Sequence, residues 1–315
     1  MYQNVCDTSW QTVASIEKDK KQNVYDIEVE DTHCFFGNKI LVHNCHHTAA
    51  KTVKEVLTYA ENAYWKFGGS ATPYRDSGDE IMIQAMFGSK IVDISASYLI
   101  KKGYLIKPYI FIEPVDSQKD FHTYAKIYDN CIASNDPFND HIAETANHLT
   151  AQGLSVLVLV QKYNQGDYLK EIINDSKFIT SRLTTKKREA AIQGLRDREY
   201  SCAIATSLAD EGLDIPTLDV AILAGGGASS NRVNQRIGRT LRKNKDNPDK
   251  KAIIIIYNHS NTRFLKDHAK KVIRILKKEK EFELIHSNGP DFIKSEINNV
   301  LGIIDNDKPD TIFDI

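Results

Sequence analysis

Short, almost wholly apolar runs recur through the last two thirds of this chain, at residues 154–160, Cys202–Ala205, Val220–Leu223 and residues 252–257. A strand that is apolar at successive positions is buried on both faces, so it needs a covering layer on each side. The stretches between the runs are amphipathic. Thr185–Arg196 has helical spacing, and residues 231–243 are compatible with a helix. From Cys45 onward the pattern therefore predicts an α/β fold built on a parallel sheet flanked by helices. Residues 111–114 are expected near a hinge between two lobes. The acidic end, with Asp305, Asp307, Asp310 and Asp314, reads as a solvated tail.

A chain of 315 residues, 41% hydrophobic, has room for two globular domains and a small additional element. The formal net charge is -1, so the global balance carries no information about nucleic acid and only local patches can. Cys6, Cys34, Cys45, Cys131 and Cys202 show no CxxC spacing. That argues against a zinc site and a disulfide framework, and no metal ligands are expected within the chain. The apolar runs are far too short to span a bilayer, and Met1 is not followed by a basic and then apolar leader. The expectation is a cytoplasmic protein with no membrane partner.

The front of the chain has a different pattern. Residues 24–29 alternate apolar and polar side chains as a half-buried strand does, Asp31, Thr32 and His33 read as a turn, and residues 39–42 read as a second strand. His43, Asn44 and Cys45 follow directly. An Asn amide can attack its own carbonyl, closing a succinimide and cutting the next peptide bond, when a neighbouring His handles the protons. The Cys after that bond supplies a thiol that can receive an acyl group. Strand, turn, strand and terminal His-Asn together resemble the C-terminal end of an intein, the self-excising element of protein splicing. That resemblance implies that Asn44 cyclises, that His43 assists it, and that Asp26 and His33 support the proton transfers. Cys45 is then the first residue of a host protein. Cys34 stands where many inteins carry Asn.

After the junction four segments follow in order: Cys45-His46; Gly68-Gly69-Ser70-Ala71-Thr72-Pro73; residues 205–216, which contain Glu-Gly-Leu-Asp-Ile-Pro; and Gln235-Arg236-Ile237-Gly238-Arg239-Thr240-Leu241-Arg242. On a helix, Gln235, Arg239 and Arg242 at i, i+4 and i+7 share one face. Two forked guanidiniums there suit triphosphate oxygens better than ammonium groups would. Gly238 weakens such a helix by about 1 kcal/mol, which a purely structural role explains poorly. Thr206 and Ser207 close a strand, where their hydroxyls serve equally well to meet polynucleotide phosphates or to cap the next helix. Residues 263–280 hold eight Lys and Arg against Asp267 and Glu279; much of this stretch reads as solvated helix surface, with backbone contact to nucleic acid compatible but not required.

Together these segments resemble the superfamily-two helicases of the DEAD/DEAH type, in particular the phage and repair DNA helicases, from Cys45 to about residue 284. The resemblance implies RecA-like lobes, ATP with Mg2+ as cofactors, and DNA, with RNA as the alternative, as partner. Arg242 becomes the arginine finger, Arg239 and Gln235 lie at the phosphates, and Gly212 and Asp214 lie at the nucleotide. His46 with Ser70, Ala71 and Thr72 couples hydrolysis to the polynucleotide, which Thr206 and Ser207 contact. The expected domains are an all-β intein fragment at 1–44, the end of a first RecA-like domain at 45–112, a complete second at 113–285, and a tail at 286–315.

Such a motor also needs a Gly-x-x-x-x-Gly-Lys-Ser/Thr loop, and no such string occurs here. Of the motif Asp-Glu-x-His, Cys45 and His46 supply only the last two positions. The expected partner is a chain bearing the front half of the helicase, its magnesium ligands, a terminal Asp-Glu and the N-terminal intein piece. Two competing readings are a truncated gene product and a restriction-type translocase that does not unwind.

Overall fold

The computed structural model describes residues 34–37, 40–44, 67–69, 84–85, 87–115, 123–206, 215, 217–225, 237–238, 240–244, 247–259, 263–287 and 289–302. They fall into two compact units, residues 1–93 and 94–315. The first holds β1 (Cys34–Gly37), β2 (Ile40–Asn44) and β3 (Phe67–Gly69). β1 and β2 form an antiparallel pair, whereas β2 and β3 run parallel, with Val42 opposite Phe67 and Asn44 opposite Gly69. A parallel pair needs a crossover of a dozen or more residues, and residues 45–66 provide that length. The strand foreseen at 39–42 is thus present with slightly later bounds, while the one foreseen at 24–29 lies outside the described residues.

The second unit opens with α1 (Ala96–Lys101), where the Ser95 hydroxyl accepts from the Tyr98 amide at 3.1 Å and caps the helix. β4 (Pro108–Val115) follows, then α2 (Tyr124–Tyr128), which runs into a π-helical turn at Asp129–Ala133. Next come α3 (Asp136–Ala151), β5 (Val156–Leu159), α4 (Tyr163–Ile172), β6 (Ser176–Ile179), α5 (Thr185–Arg196) and β7 (Cys202–Ala205). β8 (Val220–Leu223), β9 (Ala252–His259), α6 (Arg263–Leu276), β10 (Glu283–His286) and α7 (Pro290–Leu301) complete it.

Its seven strands lie in the order β10-β4-β9-β8-β5-β7-β6, and every neighbouring pair is parallel. Side chains along a strand alternate between faces. Val156, Val158, Ile253, Ile255 and Tyr257 therefore pack on one side with Phe138 and Ile142 of α3, Leu169 of α4 and Ile293 and Ile297 of α7. Leu157, Leu159, Ile254 and Ile256 pack on the other with Leu195 of α5 and Val272 and Leu276 of α6. Both faces are covered, as the apolar runs required, and the fold is a RecA-like parallel-sheet lobe.

Two expectations need correction. Residues 111–114, expected near a hinge, lie within a strand: β4 pairs with β9 over its full length, from Pro108 opposite Ala252 to Val115 opposite His259. Phe111 is fully buried, so this stretch is sheet interior. Nor is everything beyond 285 a tail. Ile293 and Ile297, one turn apart, bury against the core, with Val300 and Leu301 packed beside them. Pro290 in the first turn and left-handed Gly302 after the last bound the helix. The acidic residues Asp305, Asp307, Asp310 and Asp314 lie outside the described residues.

His259, at the end of β9, is buried with its ring 5.0 Å from that of Phe138. Burial pushes its pKa down to about 4. Because this lies below the unfolded value, the unfolded chain takes the proton first; the contribution is intact above about pH 6.5 and is lost as pH falls towards 4, by about 3 kcal/mol. Urea unfolding at pH 7, 5.5 and 4 should show His259→Asn losing less stability on acidification than the wild type; equal losses would contradict this origin.

Candidate nucleotide and nucleic-acid site

In open parallel sheets, ligands bind at the carboxyl ends of the strands. In the second unit that edge carries Gln161 and Lys162 after β5, Thr180 to Arg182 after β6, Thr206 after β7 and Gly225 after β8. The approach of these segments is close. The Gly225 amide donates to the Leu159 carbonyl at 2.8 Å, and a Cβ on Gly225 would stand 2.9 Å from the Gln161 nitrogen. Only glycine lets the two connections meet there. The Arg182 guanidinium lies 3.9 Å from the centre of the Tyr163 ring, and the Tyr163 hydroxyl lies 2.5 Å from that of Ser181. Lys162 pairs with Asp129 at 3.2 Å. Thr206 is nearly buried, its amide donating to the Ile179 carbonyl.

Arg242 is exposed, and its main chain is held from two sides. It forms a β-bridge with Leu105, and the Ile106 amide donates to the Leu241 carbonyl at 2.9 Å. From the other side Lys250, nearly inaccessible to water, directs its ammonium at the carbonyls of Thr240 (3.2 Å) and Arg242 (2.9 Å). Burial pulls the pKa of Lys250 down to about 8, against the attraction of Asp219. Asp219 is itself buried; burial raises its pKa while the Ser155 amide at 3.0 Å and Arg198 at 3.2 Å oppose the rise. Ile237 and Leu241, one helical turn apart, are buried, which anchors the segment and leaves Arg242 off the packed face. A Cβ on Gly238 would meet nothing within 4 Å, so packing in this unit does not demand glycine there.

Of the catalytic, nucleotide, coupling and polynucleotide residues expected from the sequence, only Thr206 and Arg242 have described side chains. His43 and Asn44 are seen as backbone at the end of β2. Asp26, His33, Cys45, His46, Ser70, Ala71, Thr72, Ser207, Gly212, Asp214, Gln235 and Arg239 lie outside the described residues. Lys250 and the Tyr163–Arg182 stack were not anticipated: nothing in the sequence separates Lys250 from Lys251, and the stack joins residues from two different connections. Among the described residues no group of three or more His, Cys, Asp or Glu side chains is placed to hold a metal ion. No described helix is long and apolar enough to cross a membrane.

Residues 140–244, which contain both Thr206 and Arg242, match the family model of the helicase conserved C-terminal domain. This stretch is therefore similar to a helicase C-terminal domain. Over 255 residues the chain is 29% identical to a protein assigned as helicase 22 of the Sulfolobus islandicus filamentous virus, a match covering 74% of this chain and 44% of the relative. It is 24% identical over 273 residues to the DNA 3'-5' translocase XPB2 of Sulfurisphaera tokodaii, covering 70% of this chain and 58% of that protein. The chain thus spans about half the length of these relatives. Its fold is similar to that of a fragment assigned to the HsdR subunit of a type I restriction enzyme from Vibrio vulnificus, with a TM-score of 0.59 over 78% of this chain and 47% of that one, at 19% identity.

The grip of Lys250 on the Thr240 and Arg242 carbonyls generates a test. Its folded pKa lies below the ordinary lysine value, so between about pH 8 and 10.5 the unfolded chain binds the extra proton and stability from this group rises with pH. Lys250→Met should flatten that rise in urea titrations. It should also speed hydrogen exchange of the Ile106 amide, since the carbonyl-bearing strand opposite it loses its anchor; unchanged exchange would show that the bridge holds without the ammonium.

Proposed function

We propose that this chain is the C-terminal half of an ATP-driven DNA helicase or translocase, led by an intein C-terminal fragment that splices at the Asn44–Cys45 bond. The observation that carries the assembly is the parallel pairing of β2 with β3, which sets Asn44 opposite Gly69, next to the Ser70-Ala71-Thr72 segment. In a spliced product the residues preceding Cys45 would come from the partner and take that position in the sheet. A strand ending Asp-Glu would then stand beside the coupling segment and complete Asp-Glu-Cys-His.

The splicing chemistry balances with the groups at the junction. The Cys45 thiolate takes the acyl group of the partner's thioester, releasing the partner's intein thiol. The Asn44 amide nitrogen attacks its own carbonyl carbon; the Asn44–Cys45 bond breaks, and the Cys45 nitrogen leaves as an amine with a proton passed through His43. That amine then displaces the thiol from the acyl group, leaving an ordinary peptide bond. Asp26 and His33 support the proton transfers in this reading.

In the assembled motor, ATP would lie against the second lobe, with the magnesium ligands and phosphate loop on the partner. The partner's Asp-Glu pair would hold magnesium, whose charge would partly neutralise the phosphates. Arg242 suits the finger role because the residue is exposed while its backbone is pinned by Lys250 and Leu105, which fixes where its side chain starts. Gln235, Arg239, Gly212 and Asp214 complete the nucleotide contacts, and Thr206 and Ser207 meet the polynucleotide. The name of the archaeal relative, a DNA translocase, supports DNA over RNA.

Three measurements test this reading. The purified chain should show no nucleic-acid-stimulated ATP hydrolysis; turnover from it alone would refute the division of labour. Mixed with an N-terminal partner ending Asp-Glu followed by an N-terminal intein piece, the wild type should yield ligated product by mass spectrometry. Asn44→Ala should retain residues 1–44, and Cys45→Ala should permit only slow cleavage; ligation by Cys45→Ala would contradict the assignment. In the spliced protein Arg242→Ala should lower turnover by about 10³ or more with little change in nucleic-acid affinity, and Arg242→Lys should not restore it. Normal turnover with weaker, less salt-dependent binding would instead assign Arg242 to the polynucleotide.

A further inference from the structure

The helix α6 combines two features that the nucleotide and splicing chemistry leave unused. It buries Leu265, Ala269, Val272 and Leu276, and the flank beside that stripe carries Phe264, His268 and Lys271 at i, i+4 and i+7. Its outward face carries Arg263, Lys270 and Arg274, with Lys266 on the opposite flank and Asp267 as the helix's single acid. Arg263, Lys266, Lys270 and Arg274 have no ion pair with any described carboxylate. Phe264 is 47% exposed and Tyr124, at the start of α2, is 39% exposed. The two rings lie 6.5 Å apart, and Tyr124 lies 5.4 Å from the His268 ring. Two rings open to solvent beside a row of cations make a shelf of mixed character.

The chemistry of the shelf selects its occupant. A protein interface is depleted in lysine, especially at its centre, so an apolar protein partner fits poorly beside Lys270 and Lys271. A single-stranded polynucleotide offers what both halves want, unpaired bases with π-faces for the rings and phosphates for the cations. The shelf's position agrees. α2 follows β4 and α6 follows β9, so Tyr124 and Phe264 come after the carboxyl ends of their strands, as Thr206 does after β7. From β9 to β7 is three strand spacings, about 14 Å.

We propose that Tyr124, Phe264 and the cationic face of α6 form a second binding surface for single-stranded nucleic acid. Unpaired bases stack on Phe264 and Tyr124, while Arg263, Lys270 and Arg274 hold the backbone. The inference rests on the nucleic-acid reading of this helicase half, and it concerns residues outside the motifs that support that reading. It gives the second lobe a grip on the strand that does not depend on bound nucleotide.

The test uses the whole 315-residue chain and a fluorescein-labelled oligothymidylate, followed by anisotropy between about 50 and 200 mM salt. Phe264→Ala and Tyr124→Ala should each weaken binding about 5- to 150-fold, the scale of losing one stacked base, with no change in the salt dependence. Phe264→Tyr should bind as the wild type does. Phe264→Leu, which keeps apolar bulk and protects the fold, should be as weak as Phe264→Ala. Lys270→Gln with Arg274→Gln should lower the slope of log K against log salt by about 1.4. Wild-type affinity in Phe264→Ala and Phe264→Leu would overturn the proposal, as would failure of the wild-type chain to bind the oligothymidylate. Neither result bears on splicing or on Arg242, which are judged by ligated product and by ATP turnover of the spliced protein.

Discussion

Burial of β9 on both faces is the constraint on which the rest of the second unit depends. Its eight residues pair with all eight of β4 on one side and with β8 on the other, and Ala252 to Ile255 have no exposed surface. A strand so placed can meet its backbone hydrogen-bonding needs only inside a sheet, and its side chains only between two helical layers. The helices follow from that requirement. α3 and α7 close one face and α5 and α6 close the other, and the parallel direction of all seven strands brings their carboxyl ends to one edge. The candidate contacts at Thr206, Arg182, Tyr163 and Phe264 owe their common placement to this direction.

The central strands are legible because double burial leaves them almost wholly apolar. Cys202–Ala205 and Val220–Leu223 were read with the bounds the sheet shows, and Thr185–Arg196 was read as the helix it is. Elements with mixed patterns were not. β10, Glu-Leu-Ile-His at an edge, is only partly covered, so its composition resembles that of a loop. α7 reads as tail because its apolar positions are spread among Asp, Lys, Ser, Glu and Asn; only their spacing carries the signal. In residues 111–114 Glu113 and Pro114 interrupt an apolar run, yet Glu113 is buried and lies 2.8 Å from the His141 imidazole.

The candidate site was legible in a different way. Arg242 could be singled out because its spacing from Gln235 and Arg239 is local in sequence. What holds Arg242 was not, because Lys250 reaches it from the far side of a turn, and Leu105 from a segment that precedes the sheet. Asp219 and Arg198 are separated by 21 positions and meet only when β8 and the turn after α5 come together. Supports of this kind depend on tertiary placement, so single-sequence spacing does not encode them. The same holds for the shelf of Tyr124 and Phe264, whose rings come from segments on opposite sides of the sheet's central strands in sequence.

The two edges of the seven-stranded sheet have a consequence for how this piece behaves among other proteins. β6 and β10 are each four residues long; Lys177 lies within one, and Glu283, paired with Lys107 at 2.7 Å, opens the other. Short edges carrying charge are poor templates for adding a foreign strand, the route by which exposed sheets aggregate. The interior that most needs protection, around β9, is four strands from one edge and two from the other. What the unit leaves open to other macromolecules is therefore its strand ends and helix faces, not the edges of its sheet.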